Sequence, residues 1–506
     1  MRQGIDGTAM ASFLTALLLT GASGIAISQL QKRNQKGLQG WGLGGRQFGT
    51  LITWFLVGGD FYTAYTIIAV PAVVFSTGAA GFFALPYTIL VYPFVFVTMP
   101  RLWSVCRRHG LVTPADFVKL RYGSRGLATA VTITGIVSLI PYIALQFAGI
   151  GIVLSRLAGN AGSSLEKMGL VVAFGGVAIF TCGAGLRAPA LIAVAKDVMI
   201  YIVVIAAITA LPHHFGGYRH IFTVADDFFR AHSGAVVLPP SGFNAYATLA
   251  LGSALAGFMY PHTMTSVLAA SSPRAIRKNA VLLPAYTVLL GLVALLGIVG
   301  VAAGLRPDSS KDVIPTLFAI AFPSWFKGFA FAAIVIAAVV PAAIMSIAAA
   351  NLFTKNVYVE YFDRNASSDA QVTIAKVASV VVNAGALAFV LAFPAQYAIN
   401  LQLLGGVLIL QTFPAITFGL WKRIFHHAAL LSGWIVSLVV AWILLAHGNF
   451  RSPTYPLAAF GQIHDVYIGL ISLTVNLAVT AVLTLTLDAG GVRRGPDGSI
   501  DRDYVG

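Results

Sequence analysis

Long apolar runs alternate with short polar breaks along the whole chain, and thirteen of the runs reach the length needed to cross a bilayer. They are 8–29, 49–75, 81–105, 126–155, 167–186, 189–212, 245–268, 279–304, 326–350, 371–393, 396–421, 428–447 and 464–487, here segments 1 to 13. The pattern predicts an all-α polytopic membrane bundle. Its narrowest division is at Arg187, between segments 5 and 6.

Two segments do not read as continuous helices. Segment 2 contains LVGGDFYTAYTIIAVP over 56–71, with Gly58-Gly59, the acid Asp60, the hydroxyl-bearing Tyr62, Thr63 and Tyr65, and Pro71. An acid at membrane depth costs about 2.5–3.5 kcal/mol on insertion scales, and the glycines weaken the helix beside it. An acid next to a helix break is the pattern of a discontinuous helix whose freed backbone groups bind an ion. The plain alternative is a kinked packing helix with Asp60 hydrogen-bonded to a neighbour. Segment 7 reads GSALAGFMYPHT over 252–263, again with glycines and a Pro-His pair in mid-run. Two interrupted segments five apart, with opposite topology, predict a 5+5 inverted repeat. The first repeat is then 49–212 and the second 245–421, with an extra first helix and basic loop over 1–48. An extracytoplasmic loop covers 213–244, two peripheral helices 422–487, and a tail 488–506.

Composition and charge sharpen this picture. Of 506 residues, 58% are hydrophobic and only 10% charged, against about 25% charged in soluble chains. The formal net charge of +15 invites a nucleic-acid reading, but the basic residues are scattered among loops and form no arm or stripe. Positive-inside topology accounts for them better. With the N-terminus outside, 23 of the 32 Lys and Arg fall on the cytoplasmic side and 9 on the other. The expected orientation is therefore N-terminus outside and C-terminus inside. The leader MRQGIDG lacks a basic cluster, so segment 1 reads as a retained helix and not a signal peptide. Cys106 and Cys182 imply no disulfide framework. The stretches 213–244 and 315–322 are longer than turns and read as lids or passive loops. The Gly- and Arg-rich tail from Asp488 reads as disordered.

No enzyme signature is present: the His213-His214 and His426-His427 pairs lack partner ligands, and no GxSxG, HExxH or P-loop pattern occurs. No cofactor is implied. Polar residues inside segments remain. Ser346 follows Pro341 in segment 9, and its hydroxyl and the carbonyls that the proline frees are oxygens suited to a hard cation. A serine bonded to its own helix is the alternative. Asp197 and Lys196 open segment 6 and read either as an interfacial pair or as an ion-release site. Tyr142, Gln146, Tyr260 and His262 place polar groups near mid-membrane, and His262 is able to carry a proton.

Several motifs in order carry a family resemblance: GGRQFGT at 44–50, GGDFYTAYTIIAVP at 58–71, TPADFVKLRYGS at 113–124, VSLIPYIALQFAGIG at 137–151, Asp197, and PAAIMSIAAANLFTKNVYVEY at 341–361. The chain resembles the sodium/solute symporter family, and MYPH at 259–262 with PAAIMSIAAANLF is similar to its bacterial monocarboxylate permease branch. The resemblance implies the LeuT-type fold and a sodium site between segments 2 and 9. That site would use the backbone around Thr63, Ala64 and Ile67, the Ala343 carbonyl and the Ser346 hydroxyl, with Asp197 matching a family acid associated with ion coupling. Asp60, a cation candidate from its place at the break, falls one residue from the acid of proline-type relatives. Members with a well-formed site carry two adjacent hydroxyls in segment 9, whereas the second position here is Ile347. A proton is thus the rival coupling ion.

The expectation is a symporter of the bacterial cytoplasmic membrane that imports lactate, pyruvate and similar short acids. A carboxylate alone would be driven out by the membrane potential, and each inward positive charge contributes about 2.3 kcal/mol per 100 mV. With no Arg or Lys expected at mid-membrane, helix-end N–H groups together with Tyr65, Tyr142, Gln146, Tyr260 and His262 are the candidate carboxylate partners. A proline or other amino-acid symporter is the alternative of the same fold. Lipid is the expected surroundings, nucleic acid is not an expected partner, and the sequence leaves the oligomeric state open.

Overall fold

The computed structural model describes residues 6–30, 37–158, 162–232, 234–307, 309–392, 398–450, 452–459 and 461–505. Arg2, Lys32, Arg33, Lys36 and Arg451, which enter the charge argument, lie outside the described residues. Among those described, eleven helices are long and apolar enough to cross a membrane. The two segments missing from that set are 2 and 7. Segment 2 is divided into Thr50–Gly59 and Val70–Thr77, with a π-helical turn at Tyr65–Ala69 between them. Segment 7 is divided into Phe243–Gly257 and Pro261–Leu268. The division at Arg187 also holds, because Gly185 takes φ +57° between the helices Gly162–Ala184 and Arg187–His214. A left-handed glycine at that point ends the first helix without a Cβ penalty.

The two interrupted segments run antiparallel and are tied at both ends. Where segment 2 begins, Phe48 accepts from the Ser271 N–H at 2.8 Å and donates to the Ala269 carbonyl at 3.3 Å, so the start of 2 meets the end of 7. Where segment 2 ends, the Ala79 N–H donates to the Ala235 carbonyl at 2.7 Å on the approach to segment 7.

Segment 9, the helix Ser324–Phe353, lies at the centre, and every residue from Ala330 to Leu352 is buried. Its alanine-rich surface lets neighbouring helices approach closely. It continues as a π-helix, Thr354–Phe362, which meets the short helix Pro114–Tyr122. There Asn356 donates to Asp116 at 2.7 Å, and Glu360 pairs with Lys119 at 2.5 Å and Arg125 at 2.8 Å. Two motifs some 240 residues apart thus form one joint.

Three expectations need correction. The chain is not wholly helical: Thr454–Ala459 and Gln462–Tyr467 form an antiparallel hairpin, with Gly461 at φ +75° in its turn. The stretch 213–244 contains a helix, Gly217–Ala231, whose Ile221, Ala225 and Phe229 recur every four residues and are buried together. The tail from Asp488 is docked where the composition predicts disorder. Gly498 donates to the Leu120 carbonyl at 2.9 Å, and Asp497 pairs with Arg121 at 2.8 Å. Asp503 lies 2.8 Å from His109 and 3.6 Å from Arg108, and Tyr504 is buried against Phe117. Carboxylates of the tail therefore answer the basic stretch 101–125, which a composition argument applied to the tail alone misses.

Candidate substrate and ion site

The break in segment 2 exposes carbonyls that a continuous helix would have satisfied, and a side chain from segment 6 meets them. Lys196, wholly buried, donates to the carbonyls of Gly59 at 2.9 Å and Tyr62 at 3.1 Å. Its third contact is an ion pair with Asp197 Oδ1 at 2.9 Å. Asp197 Oδ2 accepts from the Tyr286 hydroxyl at 2.5 Å, and the Tyr62 hydroxyl donates to the Tyr286 carbonyl. The side chains of Lys196 and Asp197 are 0% and 1% exposed, so the pair is enclosed by protein. Lys196 stands nine residues inside its helix, about 14 Å from the start at 1.5 Å per residue. A lysine enclosed within the bundle is not among the expected partners. The lysine sits near a helix start in sequence, but the break in segment 2 comes to meet it.

The same contacts explain the glycine pair. A Cβ on Gly58 would lie 2.1 Å from the Tyr286 ring, and one on Gly59 2.8 Å from the Lys196 ammonium. The pair admits a ring and a charge against the backbone, a requirement separate from weakening the helix.

Asp60 faces the other way. Its Oδ2 accepts from the Ser266 hydroxyl of segment 7 at 2.6 Å, while Oδ1 is buried with no hydrogen-bond partner among the described residues. It lines a small polar cleft between the two breaks, together with Phe61, Tyr142, Tyr260, His262 and Thr263. The rings of Tyr142, Tyr260 and His262 form a cluster with centroids 5.3 to 5.5 Å apart. His262 is 2% exposed and its Nδ1 has no partner among the described residues. It is the second residue of the helix Pro261–Leu268, and the first helical bond of that helix runs from Met264 to the Tyr260 carbonyl at 3.2 Å. The N–H groups of His262 and Thr263 thus belong to the unsatisfied start of a helix. A larger cavity between segments 1, 4, 5, 6 and 9 is lined by Phe13, Leu154, Phe180, Ile192 and Val339 among others. Its lining is almost wholly apolar and offers a carboxylate nothing, so the polar cleft is the candidate site.

The remaining predicted residues are placed around the cleft. Gln146, wholly buried, accepts from the Ala64 N–H at 3.0 Å and donates to the Tyr142 carbonyl at 3.2 Å, which commits its amide to holding the unwound backbone. Thr63 and Ile67 are buried, and the Ile67 N–H donates to the Thr63 carbonyl at 3.2 Å. Ser346 is wholly buried and its hydroxyl donates to the Ala343 carbonyl of its own helix at 2.9 Å. The side chain of Tyr65 lies outside the described residues. The sequence reading passed over Ser266, Tyr286, Tyr87 and Tyr467. Of these, Tyr467 closes the hairpin, lines the cleft and donates to the Leu403 carbonyl at 3.0 Å. The signal available was a hydroxyl-bearing residue at the start of an apolar run.

The sodium:solute symporter family matches residues 41–436, which include both breaks, segment 9 and every cleft residue except Tyr467. The chain belongs to this family. As a family member it is a secondary transporter and not an enzyme, and a multi-pass membrane protein. It is 51% identical over 97% of its length, and 99% of the relative's, to a monocarboxylate transport permease protein of Rhizobium johnstonii. An uncharacterized symporter of Bacillus subtilis is 34% identical, with 87% of this chain and 90% of the relative covered. A high-affinity proline transporter of the same bacterium is 22% identical, with 87% and 93% covered. The fold is that of a Na+-coupled sialic acid symporter solved in a substrate-bound outward-open state. That match has a TM-score of 0.75 at 14% identity and covers 95% of this chain and 98% of the other.

Proposed function

We propose that this symporter imports short monocarboxylates such as lactate and pyruvate, with sodium as the coupling ion, by alternating access in the bacterial cytoplasmic membrane. The observation that carries the reading is the cleft, where Tyr142, Tyr260 and His262 meet the start of the helix Pro261–Leu268 beside the break in segment 2. A helix start presents N–H donors and the positive end of the dipole to an anion. The relative with 51% identity supports the substrate class. Sodium takes the backbone around Thr63, Ala64 and Ile67 with the Ala343 carbonyl and Ser346 hydroxyl. A proton carried by His262 is the competing coupling ion, because Ile347 leaves one hydroxyl fewer in that cage. Counting each interrupted pair as one crossing gives thirteen, with the N-terminus outside and the C-terminus inside.

One observation favours a second reading. Asp60 offers an unpartnered carboxylate oxygen at the cleft, and such an oxygen suits the ammonium group of an amino acid. In the monocarboxylate reading the same oxygen meets the coupling cation or a substrate hydroxyl. Uptake of labelled lactate, pyruvate and proline into proteoliposomes, with sodium and proton gradients imposed separately, decides between them. Accumulation of lactate or pyruvate under a sodium gradient alone is the expected result. Accumulation of proline and neither acid would overturn the substrate, and accumulation driven by pH with sodium absent would overturn the ion.

A further inference from the structure

The carbonyls at a broken helix end are where a transporter binds a small cation, and here that position is taken. The Lys196 ammonium has three protons and three oxygen partners: the Gly59 carbonyl, the Tyr62 carbonyl and Asp197 Oδ1, at 2.9, 3.1 and 2.9 Å. Two of its donors go to the carbonyls, and the carboxylate oxygen stands at ion-pair distance. The two carbonyls come from the break itself, and the carboxylate is neutralised by the neighbouring residue of the same helix. Gly59 leaves the space that the ammonium needs, with an added Cβ only 2.8 Å from Nζ. Tyr286 holds the other carboxylate oxygen, so Asp197 cannot turn away. Oxygens of this kind, two carbonyls and a carboxylate, are those that coordinate alkali cations.

We propose that Lys196 is a resident cation: its ammonium occupies a monovalent-cation site formed by the broken end of segment 2 and Asp197. The Gly59–Tyr62 end of the break is thereby held at constant charge through the cycle, and those two carbonyls take up no metal ion of their own. The transported ion must then bind to other oxygens, whether farther along the break or outside it. Without the lysine, the same oxygens form an anionic cage open to sodium or potassium. This inference rests on the cage and not on the substrate or coupling ion proposed above, so it is tested on purified, substrate-free protein.

The test compares wild type, Lys196→Ala, and the double variant Lys196→Ala with Asp197→Asn, full-length in detergent, by thermal unfolding in sodium, potassium or choline chloride at equal ionic strength. Wild type reports any response from the transport-ion site. Lys196→Ala is expected to unfold at lower temperature in choline and to recover with sodium or potassium along a saturable curve. The gain should exceed that of wild type by roughly 3 °C or more. The double variant, with no charge in the cage, should show only the wild-type response. Recovery of Lys196→Ala solely from cells and buffers rich in an alkali cation carries the same meaning. The proposal is overturned if Lys196→Ala and wild type gain equally from sodium and potassium, or if the double variant gains as much as Lys196→Ala. It is also overturned if Lys196→Ala cannot be recovered in any salt, since a small ion then fails to replace the ammonium.

Discussion

Replacing His262 by Phe separates two contributions of the imidazole that most substitutions remove together. The ring stands 5.3 Å from Tyr142 and 5.5 Å from Tyr260, centroid to centroid, in edge-to-face and tilted arrangements. Phe preserves those contacts, each worth about 0.5–1.5 kcal/mol. It deletes the polar atoms, including Nδ1, which is buried without a partner among the described residues. An unsatisfied buried polar atom costs about 1–3 kcal/mol, so the substrate-free variant should unfold at the same temperature as wild type or higher. A hydrogen bond to an ionised carboxylate contributes about 1.5–3 kcal/mol. If the imidazole donates to the substrate, its loss weakens binding about 10- to 150-fold at 1.4 kcal/mol per decade. The assay is the KM for labelled lactate in proteoliposomes at saturating sodium, beside a thermal unfolding curve of the same preparation. Stability held with KM raised tenfold or more is the expected pair of results. A lower unfolding temperature with KM unchanged would refute the reasoning and make His262 a packing residue.

Tyr286→Phe removes the 2.5 Å hydrogen bond to Asp197 and leaves that carboxylate oxygen buried and unmatched, so a loss of about 1.5–3 kcal/mol is expected in denaturant unfolding; a loss below 0.5 kcal/mol would mean that water replaces the hydroxyl. For the tail, burial alone would push the Asp503 carboxyl up, but the His109 ring, the Ile500 N–H and the Arg108 guanidinium together hold it below its ordinary 3.8. A depressed carboxyl stabilises the docked form above its unfolded value and loses that effect as the pH falls through the folded one. Protease nicking of the tail should therefore stay low from pH 5 to 8 and rise only below about 3.8, whereas nicking that rises already between pH 7 and 5 would refute this role for Asp503. Topology is checked with cysteines at the exposed positions Thr223 and Ser368 in a Cys182→Ser background. They should label from opposite sides of the membrane, Thr223 from outside, and labelling of both from one side would sink the thirteen-crossing arrangement.

What the sequence revealed is what it encodes locally. Gly58-Gly59 beside Asp60, and Pro261-His262 inside an apolar run, mark the two breaks without reference to any other residue. The cleft residues Asp60, Tyr142, Tyr260 and His262 stood out because polar groups at membrane depth are costly. The partners of these groups were hidden because they are remote. Lys196 meets Gly59 across 137 residues, Ser266 meets Asp60 across 206, and Tyr286 meets Asp197 across 89. Nothing in the periodicity of segment 6 turns Lys196 towards segment 2. The docked tail failed to show for a similar reason: Asp497 finds Arg121 across 376 residues, and composition describes a tail without its counter-charges. The hairpin escaped because its two strands are six residues each and lie between runs whose apolar length dominates the pattern.

The backbone ties at the two ends of the interrupted pair constrain how the molecule can open. Phe48 is joined to Ala269 and Ser271 at one end, and Ala79 to Ala235 at the other. Prising segments 2 and 7 apart would strain or sever such a bond at whichever end opened. The cheaper route leaves the pair intact and tilts it as a unit. Access to the cleft would then be set by the gaps between that unit and the long helices of segments 4 and 9. The two breaks, held in fixed register by their stapled ends, would travel with the bound solute as a single carriage.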